Sequence, residues 1–175
     1  SWYDDKQYPE HTLFLEKNTE DRTDQMWGDF FHTRWPDTLD VPIAEHFARL
    51  NERVFEWQFD APVISFSHFL PRQELIFNRQ YTEAELANIV KQYDPYPEFN
   101  FSRVAGSTRI LEQVRRLGSQ VHVYGHQHRN RVRVLDGVTY VSHCMGYPKE
   151  RMLGYVHADA MTPRCIWRED TGFCQ

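Results

Sequence analysis

The stretch from Ser107 to Val141 constrains the fold of this chain most, because each of its segments carries its own start and stop signal. Ser107 is a helix N-cap residue type, Ile110, Leu111, Val114 and Leu117 recur on one helical face, and Gly118 stands where a helix end takes glycine. The apolar alternation Val121-His122-Val123-Tyr124 predicts a strand, and Gly125-His126-Gln127-His128 follows it as a loop. Gly125 is expected to let the backbone turn sharply where a side chain would be strained. After the basic run Arg129-Asn130-Arg131, Val132–Leu135 and Val138–Val141 flank Asp136-Gly137, a strong two-residue hairpin signal. The two imidazoles of the loop also raise the first question of chemistry. Neutral imidazole suits zinc, iron, nickel or copper, but a bare His-x-His fits two surface histidines as well.

The preceding residues predict an α/β chain. Residues 1–39 are aromatic-rich and acidic, with Trp2, Trp27 and Trp35 among polar loops and a weakly signalled helix through Gln25–Phe31. Asp40-Val41-Pro42 opens a helix whose face is Ile43, Phe47, Leu50 and Val54. Pro62-Val63-Ile64-Ser65-Phe66-Ser67 reads as a buried strand that delivers His68 at its C-terminal end. Thr82-x-x-Glu85 has capping-box spacing ahead of Leu86, Ile89 and Val90, marking a helix to about Tyr93 that Asp94-Pro95 ends. A last strand is expected to include Arg164-Cys165-Ile166-Trp167. Helices interleaved with buried strands make the class α/β, and ligands in such sheets bind at the carboxyl ends of strands. If the strands before His68 and His126 are neighbours, His68, His126 and His128 converge.

Composition removes several function classes. No apolar run approaches ~18 residues, so no membrane span is expected. A net charge of −5 argues against a general nucleic-acid binder. Three cysteines, Cys144, Cys165 and Cys174, form an odd set without CxxC, which favours free thiols in a reducing, cytoplasmic setting over a disulfide framework, with a Cys165–Cys174 pair as the alternative were the chain exported. His122 lies inside a strand and is expected to be structural, as are His11, His32, His46, His143 and His157. His143 and Cys144 are adjacent in a strand and point to opposite faces, which discounts a thiol–imidazole pair. A metallo-β-lactamase HxHxDH would need acid and histidine where the chain has Asn130 and Arg131. HExxH, GxxxxGK[ST] and GxSxG are absent.

Ser67-His68 at the end of a buried strand, followed later by strand-Gly125-His126-Gln127-His128, resembles the last two metal-binding motifs of the calcineurin-like metallophosphoesterases. Ser67–Arg72, Val123–His128, Leu135–Val141 and Tyr147–Arg151, together with Trp2-Tyr3 and the Asp29-Phe30…Trp35-Pro36 region, are similar to a poorly characterised branch of that superfamily. The resemblance implies the C-terminal part of a four-layer α/β/β/α sandwich and a dinuclear site. It implies that His68 and His126 bind one divalent metal ion and His128 the other, with manganese, iron and zinc all open. Two such ions hold a hydroxide for in-line attack on a phosphate ester. Arg72, four residues past His68, is a candidate for a substrate phosphate, against a surface salt bridge.

The family's earlier motifs, DxH, GDxxD and GNH, have no match here, and Gly28-Asp29-Phe30-Phe31-His32 has histidine where the second aspartate belongs. Three neutral imidazoles offer two dications neither a bridge nor an offsetting charge. Residues 1–175 are therefore expected to be a single partial domain whose partner is the missing N-terminal half, with the family's catalytic histidine upstream and this chain alone inactive. The start at Ser1-Trp2 without methionine fits that expectation, and fits processing equally. The competing expectation is an inactive metallophosphoesterase-like binding or scaffold module. A half-sandwich is also expected to expose a strand edge and an apolar face.

Overall fold

A computed structural model describes residues 1–17, 19–78, 82, 96–156 and 161–174. Apart from Thr82, the helix expected from Thr82 to Tyr93 lies outside the described residues, as does His157. The centre is a four-stranded sheet of β1 (Ile64–Phe66), β2 (Val121–Val123), β3 (Arg131–Leu135) and β4 (Val138–Ser142), in the order β1-β2-β4-β3. β1, β2 and β4 run parallel, and β3 returns antiparallel to β4 through the Asp136-Gly137 turn. Asp136 (φ 50°) and Gly137 (φ 79°) both take the left-handed conformation that this turn requires. The fold class is α/β, as expected, and the sheet is mixed; β1 is shorter than the expected Pro62–Ser67 strand and is not buried, since Ile64 and Phe66 are exposed.

The short helices α1 (Thr23–Met26) and α2 (Asp29–His32) replace the single expected helix through Gln25–Phe31, with Trp27 and Gly28 between them. α3 (Ile43–Leu50) stops earlier than its apolar pattern predicts, and Glu52–Glu56 continues as a 3₁₀ turn carrying Val54. The break is held from a neighbouring helix, α4 (Thr108–Arg116). Gln113 of α4 donates to the Ala48 carbonyl (2.8 Å) and accepts from the Asn51 amide (3.1 Å). α4 itself forms as its sequence predicts: the Ser107 hydroxyl accepts from the Arg109 N–H (3.1 Å), and Gly118 has φ +61°. A fifth helix, α5 (Pro148–Met152), was not expected. The last strand is shorter and later than expected, with β5 (Trp167–Arg168) pairing β6 (Gly172–Phe173) in a separate two-stranded sheet.

Two apolar clusters hold the sheet to the N-terminal segment. One joins Leu13, Leu70, Leu75, Ala105, Leu111, Tyr124 and Tyr140; the other joins Tyr3, Phe69, Val104, Ile110 and Val114. Gly106 makes the closest backbone approach, since a Cβ there would sit 1.9 Å from the Leu70 carbonyl oxygen. Buried ion pairs tie in the first residues. Arg103 grips Asp5 (2.7 Å) and Asp21 (3.3 Å), and Asp4 accepts from the Ser107 hydroxyl (2.7 Å) and from Arg109 (3.2 Å). Among the described residues no helix is long and apolar enough to cross a membrane.

Candidate functional site

β1 and β2 are parallel neighbours, with Phe66 opposite Val123, so the loops after them leave the same end of the sheet. The ladder continues into those loops: the Ser67 N–H donates to the Val123 carbonyl (2.9 Å) and the Gly125 N–H to the His68 carbonyl (3.0 Å). Local pairing of this kind places His68 beside His126 whatever their 58-residue separation. His68 Nε2 and His126 Nδ1 are 3.2 Å apart.

Tautomers follow from the other ring atoms. His126 Nε2 lies 2.9 Å from the Val104 carbonyl, which can only accept, so Nε2 carries the proton and Nδ1 offers a lone pair. Without a metal His68 Nε2–H donates to it; ligation through His68 Nε2 requires the other tautomer, with that proton on Nδ1. Phe69, Phe101 and Trp27 surround the His126 ring at centroid distances of 4.5, 5.3 and 5.5 Å. Burial among them, followed by repulsion from His68, pushes the His126 pKa down to about 3. His68 is lowered too, by desolvation and by His128. Neutral imidazoles with free lone pairs are the form that ligates metal.

The backbone at the loop is strained at the histidines themselves. His126 (φ 68°) and His128 (φ 51°) both occupy the left-handed region, whereas Gly125 does not, contrary to the expectation that the glycine makes the turn. A β-carbon in that region costs about 1–2 kcal/mol per residue. Such strain concentrates where a side chain must be aimed for a task. His128 is aimed by Glu150 at the third position of α5, both of whose oxygens lie 3.0 Å from Nδ1. Glu150 also accepts from the Tyr147 N–H (2.6 Å) at the helix start. Desolvation works to raise the Glu150 carboxyl, but Tyr147 and His128 hold it below the usual range. The carboxylate fixes a proton on His128 Nδ1 and leaves Nε2 for a ligand.

Two imidazoles at about 2.0–2.1 Å from one tetrahedral ion have nitrogens about 3.3 Å apart, so the His68–His126 spacing fits a single metal ion. Among the described residues no group of three or more His, Cys, Asp or Glu side chains is arranged to hold one ion, so an ion at the His68–His126 pair or at His128 would need ligands from elsewhere.

Arg72 is not part of this site. Its side chain is buried; it pairs with Glu74 and with Asp136 (2.8 Å), and Asp136 turns the hairpin at the end of β4 opposite to the histidine loops. Those carboxylates, Glu74 first, raise its pKa further. Its role is a buried tie between the loop after β1 and the hairpin. His122 is structural, as expected, but wholly buried: Ser65 Oγ lies 2.8 Å from Nδ1 and Ser67 Oγ 3.0 Å from Nε2. His143 and Cys144 do not pair; His143 bonds the Thr162 carbonyl (3.0 Å) and Cys144 N–H bonds Asn130 (2.7 Å).

Glu150 and Asp29 lie in segments that carry the resemblance, but the sequence assigned neither a role at the site. Pro148 and Glu150, at the first and third helix positions, are a helix-start signal that was there to be read. Asp29, which receives the Trp27 indole N–H (2.8 Å), acts electrostatically on His68. No protein-family model, curated protein or solved structure matches this chain.

Proposed function

We propose that this chain is the C-terminal part of a dinuclear metal-dependent phosphoesterase. The observation that carries it is the 3.2 Å approach of His68 Nε2 to His126 Nδ1, with His126 Nε2–H held by the Val104 carbonyl. His68 and His126 hold one divalent ion and His128 the other, with identity open among manganese, iron and zinc. When bound, such a pair of ions activates water for attack on phosphorus and offsets phosphoryl charge. The chain's own residues prepare for this. Val104 and Glu150 fix which nitrogen of His126 and His128 is free, and Phe69, Phe101 and Trp27 keep His126 neutral. Among the described residues no group of three or more His, Cys, Asp or Glu side chains is arranged around one ion, and this reading assigns the bridging ligand and the leaving-group acid to an N-terminal half. The four-layer sandwich is part of the same proposal. Among the described residues β1 ends the sheet with its outer edge unpaired, beside a cleft of about 610 Å³ lined by Phe47, Val54, Phe55, Ile110 and Leu117, where further parallel strands would seat.

The second reading is an inactive binding module, favoured by the lack of a three-ligand group among the described residues. Two measurements separate them. The complete protein with manganese should turn over p-nitrophenyl phosphate, with His68→Ala or His126→Ala lowering kcat by at least ~10²-fold. Undiminished turnover in both variants would sink the phosphoesterase reading. Two tightly bound ions per complete protein support the dinuclear site, and one weak ion supports the module.

A further inference from the structure

Cys165 and Cys174 bracket the β5–β6 hairpin, one just before β5 and the other just after β6. The strands bring them together by ladder geometry: Trp167 pairs Phe173, and the Cys174 N–H reaches the Ile166 carbonyl (3.3 Å). Their sulfurs are 2.8 Å apart, with no bond between them. Ordinary contact between unbonded carbon atoms is about 3.5–4.0 Å, and a disulfide is about 2.05 Å. Arg164 and Arg168 line the same shallow cavity as both cysteines. We propose that Cys165 and Cys174 are a redox modification site, closing to an intramolecular disulfide on exchange with a low-molecular-weight disulfide such as oxidised glutathione.

The two thiols are not equivalent. The hydrogen bond from Cys174, with Arg168 beside it, favours thiolate on Cys165, while the same contact with Cys165 raises Cys174. Cys165 thiolate attacks the external disulfide, forming a mixed disulfide and expelling one thiolate. Cys174, giving up its proton, attacks the Cys165 sulfur and expels the second. The protein loses two hydrogens as the external disulfide becomes two thiols. A two-stranded hairpin is marginal alone in water, and the cross-link closes this one into a covalent loop. Cys144 is the internal control: its thiol is half-buried, its pKa is raised by that burial, and its backbone is held by Asn130.

The pair shares no residue with the histidine site, so its oxidation is testable without a phosphatase assay. The full chain, equilibrated in glutathione buffers of graded ratio, is trapped with N-ethylmaleimide and weighed intact. Reduced protein should take a label on each of its three cysteines; oxidised protein should take one, on Cys144, and yield a linked Cys165–Cys174 peptide. Cys174→Ser should stop at a glutathione adduct on Cys165, formed several-fold faster than the adduct on Cys174 in Cys165→Ser. Three labels after oxidation, stable adducts on both cysteines of the unaltered chain, or disulfide-linked dimers would overturn the proposal.

Discussion

At the scale of single residues, the site is a set of histidines whose protons are assigned by their neighbours. His122 shows the same logic without ligation. Ser67 donates to the Phe69 carbonyl (2.6 Å), so it accepts from His122 Nε2–H, and Ser65 donates to Nδ1. Ser119 completes the chain with a bond to Ser65 (2.7 Å). This relay stiffens the backbone on either side of His68. It also makes acid costly. Burial pushes the His122 pKa down to about 4, against about 6.5 in the unfolded chain. Between those values the unfolded state binds the extra proton, so stability is full above pH 6.5 and falls as pH drops toward 4. The loss should reach about 3 kcal/mol, at 1.36 kcal/mol per unit. Urea titrations from pH 7 to 4 should show that slope, partly flattened in His122→Gln; an unchanged slope would remove His122 as its source.

At the scale of elements, α4 organises the molecule around the sheet. Its Ser107 hydroxyl is both the N-cap acceptor for Arg109 and a donor to the buried Asp4, which joins the helix start to the first residues. Ser107→Ala removes the cap and leaves Asp4 with one partner fewer, which should cost about 2–3 kcal/mol. Chemical denaturation reads this directly, and a loss below about 0.5 kcal/mol would mean water replaces the hydroxyl. α4 was legible in the sequence because cap, apolar face and terminal glycine agree over nine residues. α3 was legible only at its start. Its apolar spacing runs on through Val54, but Gln113 and Asn51 divert the backbone at residue 51, a contact that spans 62 positions.

At the scale of the whole molecule, the exposed side of β1 dominates. Phe66 is 84% exposed and Ile64 36% exposed on an edge strand with no outer partner among the described residues. Such an edge recruits other strands, so the chain alone should self-associate. Phe66→Lys buries nothing new and adds an edge charge. It should therefore shift sedimentation velocity profiles toward monomer at unchanged melting temperature. A monodisperse, cooperatively melting parent chain would argue against the open edge as a seat for further strands. The Arg72 tie to Asp136 belongs to this scale as well. Four residues from His68 in sequence, Arg72 reaches Asp136 at the opposite end of the sheet, beyond Leu70, which bridges Gly106.

The sequence by itself determined the α/β class, the Asp136-Gly137 hairpin, α4, and two strand-to-histidine loops, since each depends on neighbours within a few residues. Tertiary structure decided the rest: the parallel pairing that sets His68 3.2 Å from His126, the Val104 carbonyl that chooses the His126 tautomer, and Glu150 that orients His128. These contacts join residues 22 to 58 positions apart. No local propensity encodes such pairings; they arise when the sheet orders and the loops at its end are packed against α5 and the Phe69–Phe101 aromatics.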